Sequence, residues 1–414
     1  MTETATAAPA APTLTSSTRL TLRPISVVPE GDEFMVGDRE AGIFFSIPEI
    51  GVVALRELER GATISEATEV ASTRAGQDVN VLEFADVLVQ SGLVTAIDDH
   101  SLTTETARQR LWLEGLRPEL VRPFFSRPAW ALYVLLFLFC LVVFALQPAY
   151  WPSFEDFFFY PNPAVCFAVV LGVNILFAGL HELCHWLAAR AAGAGAWFRI
   201  SRRLFIPVFE TDLSQLWSVP RRQRYSPFLA GMAFNTVVLA ICLALRVGWG
   251  EGWIELPPLL VRFLGVLVLV NVIGLAFQAF VFLRTDLYAV LMTAFGCRNL
   301  YRINQLYLKS KLRKLGTAET QELDEAHPRD RQVARWFSLI YLAGLAGALY
   351  FFLAFFIPGV VIMAGWMILS VTRAPVASGA FWQALVIGLV LGLQMLLPLA
   401  VLCWEKISAR RATA

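Results

Sequence analysis

Six blocks of mostly apolar residues constrain this chain more than any other feature; they lie at about 129–147, 164–190, 227–246, 261–283, 336–357 and 381–404. Each approaches or exceeds the ~20 residues a helix needs to cross ~30 Å of hydrocarbon. In that solvent a backbone must satisfy its own hydrogen bonds, so continuous apolar blocks of this length fold as helices and pack as a bundle. Composition agrees: 57% of the 414 residues are hydrophobic, 16% are charged, and mean hydropathy is +0.59. A soluble domain carries nearer ~25% charged residues. Gly359 to Val371, after Pro358, is apolar but too short to cross alone, so it continues the fifth block or re-enters. The expectation is mainly α, a polytopic helix bundle of about six spans, with five or seven open.

Loop charge orients the bundle. Arginine and lysine crowd the segment before the first block, the 191–226 and 284–335 loops and the C-terminus, whereas the 148–163 loop holds Glu155 and Asp156 and no basic residue. The positive-inside rule then places both termini in the cytoplasm. A net charge of +1 speaks against nucleic acid as a partner. Five cysteines lie in apolar segments and Cys297 in a polar turn, which is no disulfide framework.

Within the second block, Asn174 to Arg190 reads NILFAGLHELCHWLAAR. Ionisable groups at that depth are costly and usually serve chemistry. His181 and His185 sit one turn apart on one helical face, where both rings reach a single metal ion. Glu182 stands beside them, placed to take a proton from an attacking water. This is the His-Glu-x-x-His pattern of zinc hydrolases. A catalytic zinc takes a third protein ligand and keeps one position open. His100 and His327 lie in polar segments, so a carboxylate is the better third ligand. Asp286 is the first candidate, in Leu283-Arg284-Thr285-Asp286-Leu287-Tyr288; an N-cap or an ion pair with Arg284 is the alternative reading. Asp212, in Glu210-Thr211-Asp212, is the second. Asn174, Asn235, Asn271 and Gln278 are polar residues inside apolar blocks, for which interhelical hydrogen bonding is the plainer role. Asn174 lies two turns before His181 on nearly the same face and is expected on the access path. Trp197 to Phe209 has stretches of alternation, with Pro207 suited to an edge strand. It either takes an extended substrate as an added strand or is a loop that carries positive charge.

Ahead of the bundle the chain turns soluble. Residues 1–17 are rich in Ala, Thr, Pro and Ser and read as a disordered tail. Residues 18–100 read as a winged-helix-like α+β domain. Phe34-Met35-Val36 and Ile43-Phe44-Phe45 form a hairpin around a turn at Gly37-Asp38. Ser46-Ile47-Pro48-Glu49 has the residues of a helix start with a capping serine, and that helix ends at Gly61. Thr63-Ile64-Ser65-Glu66 opens a second helix, and a third runs from about Asn80 to Gln90 and ends at Gly92. Residues 101–127 form a linker, 128–300 the core, 301–335 a cytoplasmic loop and 336–414 C-terminal transmembrane helices.

Residues 164–296 resemble the site-2-protease family of intramembrane zinc metalloproteases. His181-Glu182-Leu183-Cys184-His185 is similar to its zinc motif, and Gly231-Met232-Ala233-Phe234-Asn235 to its Gly-Pro-x-x-Asn element, with Met232 where proline is usual. Asp286 stands where the family's aspartate completes the zinc site; Leu287 replaces the usual following glycine, and the usual preceding prolines are absent. The HEL-x-H helix, Asp212-Leu213-Ser214 followed by Arg221-Arg222-Gln223-Arg224, and the Arg-x-Asp-x-Tyr turn resemble a bacterial branch of peptide zinc metalloproteases found with ribosomally made, modified peptides. The N-terminal domain is similar to PqqD-like modules that bind leader peptides, on Phe34 to Asp38, Phe44 to Pro48 and Leu58 to Gly61.

The resemblance implies a zinc endopeptidase of the bacterial inner membrane. It implies that Zn2+ is held by His181, His185 and Asp286 with Glu182 as the general base; Asn235, Asn174 and Asp212 are expected to position substrate. The expected partners are the lipid bilayer and a precursor peptide whose leader is removed. The alternatives are a regulatory protease that cuts a transmembrane signalling protein, and a non-catalytic membrane protein for peptide export or immunity.

Overall fold

The computed structural model describes residues 14–39, 41–98, 100–102, 116–203, 206–392 and 396. Most of the expected tail, the linker stretch 103–115 and the end of the sixth apolar block lie outside the described residues. The fold is mainly α, about 70% helical, and divides into two compact units.

The first unit takes in the chain up to Leu116 together with Ala192–Trp197 and Leu213–Arg224. Its elements run β1 (Leu20–Leu22), β2 (Ser26–Glu30), β3 (Glu33–Asp38), β4 (Ile43–Pro48), α1 (Glu49–Glu59), α2 (Ile64–Ala75), α3 (Val81–Gln90), β5 (Val94–Ile97) and β6 (His100–Ser101). They make two antiparallel three-stranded sheets, β2-β3-β4 and β1-β5-β6. Val36, Leu55, Leu58, Ala67, Leu88 and Leu93 form the core between sheets and helices, all at 0% exposure.

The expected hairpin and three helices are present, with β2 an added outer strand. The turn lies beyond the expected one, because Gly37 and Asp38 pair with Phe44 and Ile43 inside the ladder. Ser46 does not cap α1. It lies in β4, where its hydroxyl donates to the Glu33 carboxylate at 2.6 Å, and α1 starts from Pro48 without a side-chain cap. Strand pairing with β3 outcompetes the local capping signal. At α2 no such pairing intervenes, and Thr63 and Glu66 form the full capping box.

Two segments from far along the chain complete this unit. The 3-10 turn Ser214–Ser218 packs Leu216 at 1% exposure. Gln215 bridges it, its Nε2 donating to the Arg39 carbonyl and its Oε1 accepting from the Gly195 N–H, both at 2.6 Å. Arg224, 1% exposed, forks onto both carboxylate oxygens of Glu30 at 2.8 and 2.7 Å and stacks over Trp217.

The second unit holds α4 (Pro118–Val121), α5 (Arg127–Leu146), α6 (Pro163–Ala191), β7 (Trp197–Arg203), β8 (Ile206–Asp212), α7 (Arg221–Gly250), α8 (Pro258–Phe277), α9 (Asp286–Phe295), α10 (Leu300–Leu312), α11 (Thr317–Glu325), α12 (Pro328–Phe351) and α13 (Ile357–Arg373), apart from the ends of β7 and α7 that belong to the first. Among the described residues, five helices are long and apolar enough to cross a membrane: α5, α6, α7, α8 and the continuous Pro328–Arg373. Their outward apolar residues are exposed, as at Leu135 (63%) and Val142 (53%) on α5, which suits a lipid solvent and not water. Gly359 to Val371 continues the fifth span through a π turn at Phe352–Phe356. The fourth span ends at Phe277, six residues earlier than hydropathy alone predicts, since Gln278 to Thr285 form the turn that delivers Asp286. The described part of the sixth block is the shorter apolar helix Gly379–Gly392.

Candidate metal centre

The site is built from α6, α7 and the start of α9. His181 and His185 stand one turn apart near the C-terminal end of α6, with ring centroids 4.8 Å apart. Helix α7 presents a matching stripe at four-residue spacing. The Pro227 carbonyl lies 2.6 Å from His185 Nδ1, and Asn235 Oδ1 lies 2.9 Å from His181 Nδ1. Between them is Gly231, where any Cβ would overlap the His181 ring. The helix backbone can approach the ring only because residue 231 has no side chain.

These bonds fix the ring protons. A carbonyl oxygen only accepts, so His185 Nδ1 carries a hydrogen, and the Asn235 oxygen asks the same of His181 Nδ1. Each ring then turns its Nε2 inward. The two Nε2 atoms lie 3.1 Å apart, and Asp286 Oδ2 lies 3.0 Å from one and 3.2 Å from the other. Three potential ligand atoms converging at this range suit a positive charge placed among them. The chemistry of the set, two imidazoles each oriented by a carbonyl-type acceptor plus one carboxylate, is that of a metal site with its supporting shell. Tetrahedral zinc with bonds near 2.1 Å spaces its donors about 3.4 Å apart, a few tenths of an ångström wider than found here. Among the described residues, His181, His185 and Asp286 are the group that could hold a metal ion, and the geometry fits one.

Asp286 is the first residue of α9, and the preceding turn positions it without proline or glycine. Gln278 closes the turn, its Oε1 accepting from the Asp286 N–H at 3.0 Å and its carbonyl accepting from the Thr285 hydroxyl at 2.7 Å. Thr285 is buried. The Asp286 carboxylate faces the histidines and neither caps its helix nor pairs with Arg284, whose guanidinium lies over Tyr301.

Glu182 is held from the other side. The Thr211 N–H donates to its Oε2 at 2.7 Å, and the Thr211 hydroxyl to its main-chain carbonyl at 2.9 Å. Among the described residues its second carboxylate oxygen makes no hydrogen bond, so it remains available to a water. Thr211 belongs to β8 of the two-stranded sheet β7-β8, which lies in the stretch read as alternating and carries the stacked rings of Phe198 and Phe209.

The other expected residues fall elsewhere. Asp212 ends β8 and is not in the metal group. The Asn174 amide donates to the Val170 carbonyl of its own helix at 2.9 Å. Asn235, expected to position substrate, is hydrogen-bonded to His181. Sequence reasoning missed Thr211, the Pro227 carbonyl and the space-making role of Gly231. The four-residue spacing of Pro227, Gly231 and Asn235 was the signal available. Compared with known protein families, with curated proteins and with solved structures, the chain matches none.

Proposed function

We propose that this chain is an intramembrane zinc endopeptidase that removes the leader from a ribosomally made, modified precursor peptide. The observation that carries this reading is the convergence of one potential ligand atom each from His181, His185 and Asp286, with Glu182 next to His181 in the chain and one of its oxygens open. A bound zinc ion supplies Lewis-acid polarisation of the scissile carbonyl. The chain's own residues do the rest. His181 and His185 hold the ion with rings fixed by Asn235 and Pro227, and Asp286 leaves one net positive charge on the site. Glu182 Oε1 takes the proton of the attacking water and passes it to the leaving amine nitrogen, while Thr211 keeps its Oε2 in place. The two-stranded sheet β7-β8 offers an edge for an extended substrate. The PqqD-like N-terminal domain captures the leader and raises the local concentration of the peptide. The protein sits in the bacterial inner membrane with both termini cytoplasmic, on the strength of its loop charges.

The test is co-expression with a candidate precursor peptide that carries a leader, mass spectrometry of the product, and metal analysis of the purified protein. The wild type holds about one zinc and cleaves. Glu182→Gln keeps the zinc and loses cleavage by at least the ~10²-fold typical of a general base. A wild-type protein without zinc, or full cleavage by Glu182→Gln, ends the proposal.

A further inference from the structure

The structure leaves the Arg-x-Asp-x-Tyr turn, residues 284–288, without a role for its two flanking residues. Arg284 has φ +56, a left-handed conformation that a side-chain-bearing residue adopts only when its surroundings impose it. Its guanidinium carbon lies 4.0 Å above the ring of Tyr301 on α10, close enough for a cation–π contact. On the other side of Asp286, the Tyr288 hydroxyl accepts from the Tyr301 main-chain N–H at 3.0 Å, and the two tyrosine rings meet edge to face at 6.5 Å. Tyr288 is buried and also packs against Phe337 of α12. Arg284 and Tyr288, the residues two before and two after Asp286, are thus both seated on Tyr301.

Tyr301 is itself fixed. Asp330 of α12 is 2% exposed, and its carboxylate accepts from the Arg298 and Asn299 N–H groups that open α10. The path runs from α12, through the first turn of α10, to the turn that bears Asp286. Every contact on it lies within the second unit.

We infer that Arg284, Tyr288 and Tyr301 are positioning residues for the metal ligand Asp286, and that the α10–α12 assembly does for this turn what a local proline or glycine would otherwise do. The inference rests on the metal-centre reading. Its physical content is that a short turn with no conformationally restricted residue must be braced by tertiary contacts if a carboxylate oxygen is to stay within a few tenths of an ångström of its place. Gln278 braces the turn from within, and Tyr301 braces it from α10.

The test reads zinc affinity of the whole protein in detergent, by competition with a chelator of known affinity, alongside the thermal stability of the metal-free form. Arg284→Ala removes the stack and keeps the left-handed strain, so it weakens zinc binding by about 10- to 100-fold, the range for residues that orient metal ligands. Arg284→Gly also loses the stack but adopts the left-handed turn freely, so it binds zinc more tightly than Arg284→Ala. Tyr301→Leu falls with Arg284→Ala, whereas Tyr301→Phe keeps the ring and the main-chain donor and stays near wild type. If Arg284→Ala and Tyr301→Leu bind zinc as the wild type does, the brace is refuted while the metal centre stands. If they lose zinc only in proportion to thermal stability, with glycine no better than alanine, the role is general packing and the inference fails. A wild-type protein that binds no zinc overturns this inference together with the proposed function.

Discussion

A missing side chain at Gly231 lets α7 lie against the His181 ring, and four residues on, Asn235 turns that ring inward. The two act as a pair: one makes the space, the other sets the angle. Gly231→Ala should tilt His181 off the metal position, and Asn235→Leu should free its Nδ1, each lowering zinc affinity by about 10- to 100-fold. Metal analysis after dialysis against a graded chelator series checks this, and retention equal to wild type in both variants would show that His181 is not a ligand. The paired histidines were legible in the sequence because two histidines four apart on a helix face the same way. Gly231 was not, because a glycine in an apolar helix looks the same whether it faces lipid or a ring.

At the scale of elements, local signals decided the outcome only where no partner competed. Thr63 and Glu66 cap α2 as their spacing predicts, whereas Ser46 is drawn into β4 by its pairing with β3. The α10–α11 pair offers a test of electrostatics outside the apolar spans. The Lys309 side chain holds the Glu319 carboxyl below the ordinary glutamate value, and the Arg302 side chain does the same for Glu322, onto whose two oxygens it forks at 2.9 and 2.7 Å. A lowered carboxyl pKa in the folded state contributes stability that is present above the unfolded value and disappears as pH falls through the folded one. Both pairs are open to solvent, so the effect is modest. Hydrogen exchange in α11, corrected for intrinsic rates, should therefore quicken relative to α12 as pH drops from neutrality through the carboxylate range. Protection independent of pH would remove these pairs from the account of how α11 is held.

At the scale of the molecule, the first unit is not simply the N-terminal third of the chain, since Ala192–Trp197 and Leu213–Arg224 belong to it. Arg224 is buried in its fork and Glu30 half-buried, so removing Glu30 strands a buried charge. Glu30→Ala should cost about 3–5 kcal/mol, and an apolar replacement of both partners should recover most of it. Hydrogen exchange of β2–β4 reads the loss; equal stability in the single and double variants would show the pair to be idle. The same contacts change how a truncation is interpreted. Deleting residues 1–100 removes Glu30 and Arg39, so Arg224 loses its carboxylate and Gln215 the carbonyl that its amide donates to. Under the proposed function, a fall in cleavage after that deletion would report more than loss of leader capture, and Glu30→Gln in the full chain separates the two effects.

By itself the sequence determined the long apolar helices, the three soluble helices and the paired histidines. Each depends on residues within a turn or two of one another, and lipid leaves the backbone few other ways to satisfy its hydrogen bonds. Only the tertiary structure decided what lies against them. Asp286 reaches the histidines across more than a hundred positions, Thr211 closes on Glu182 from a strand, and Tyr301 steadies a turn that lacks proline and glycine. Such contacts are set by how helices pack against each other, and no periodicity along the chain records that packing.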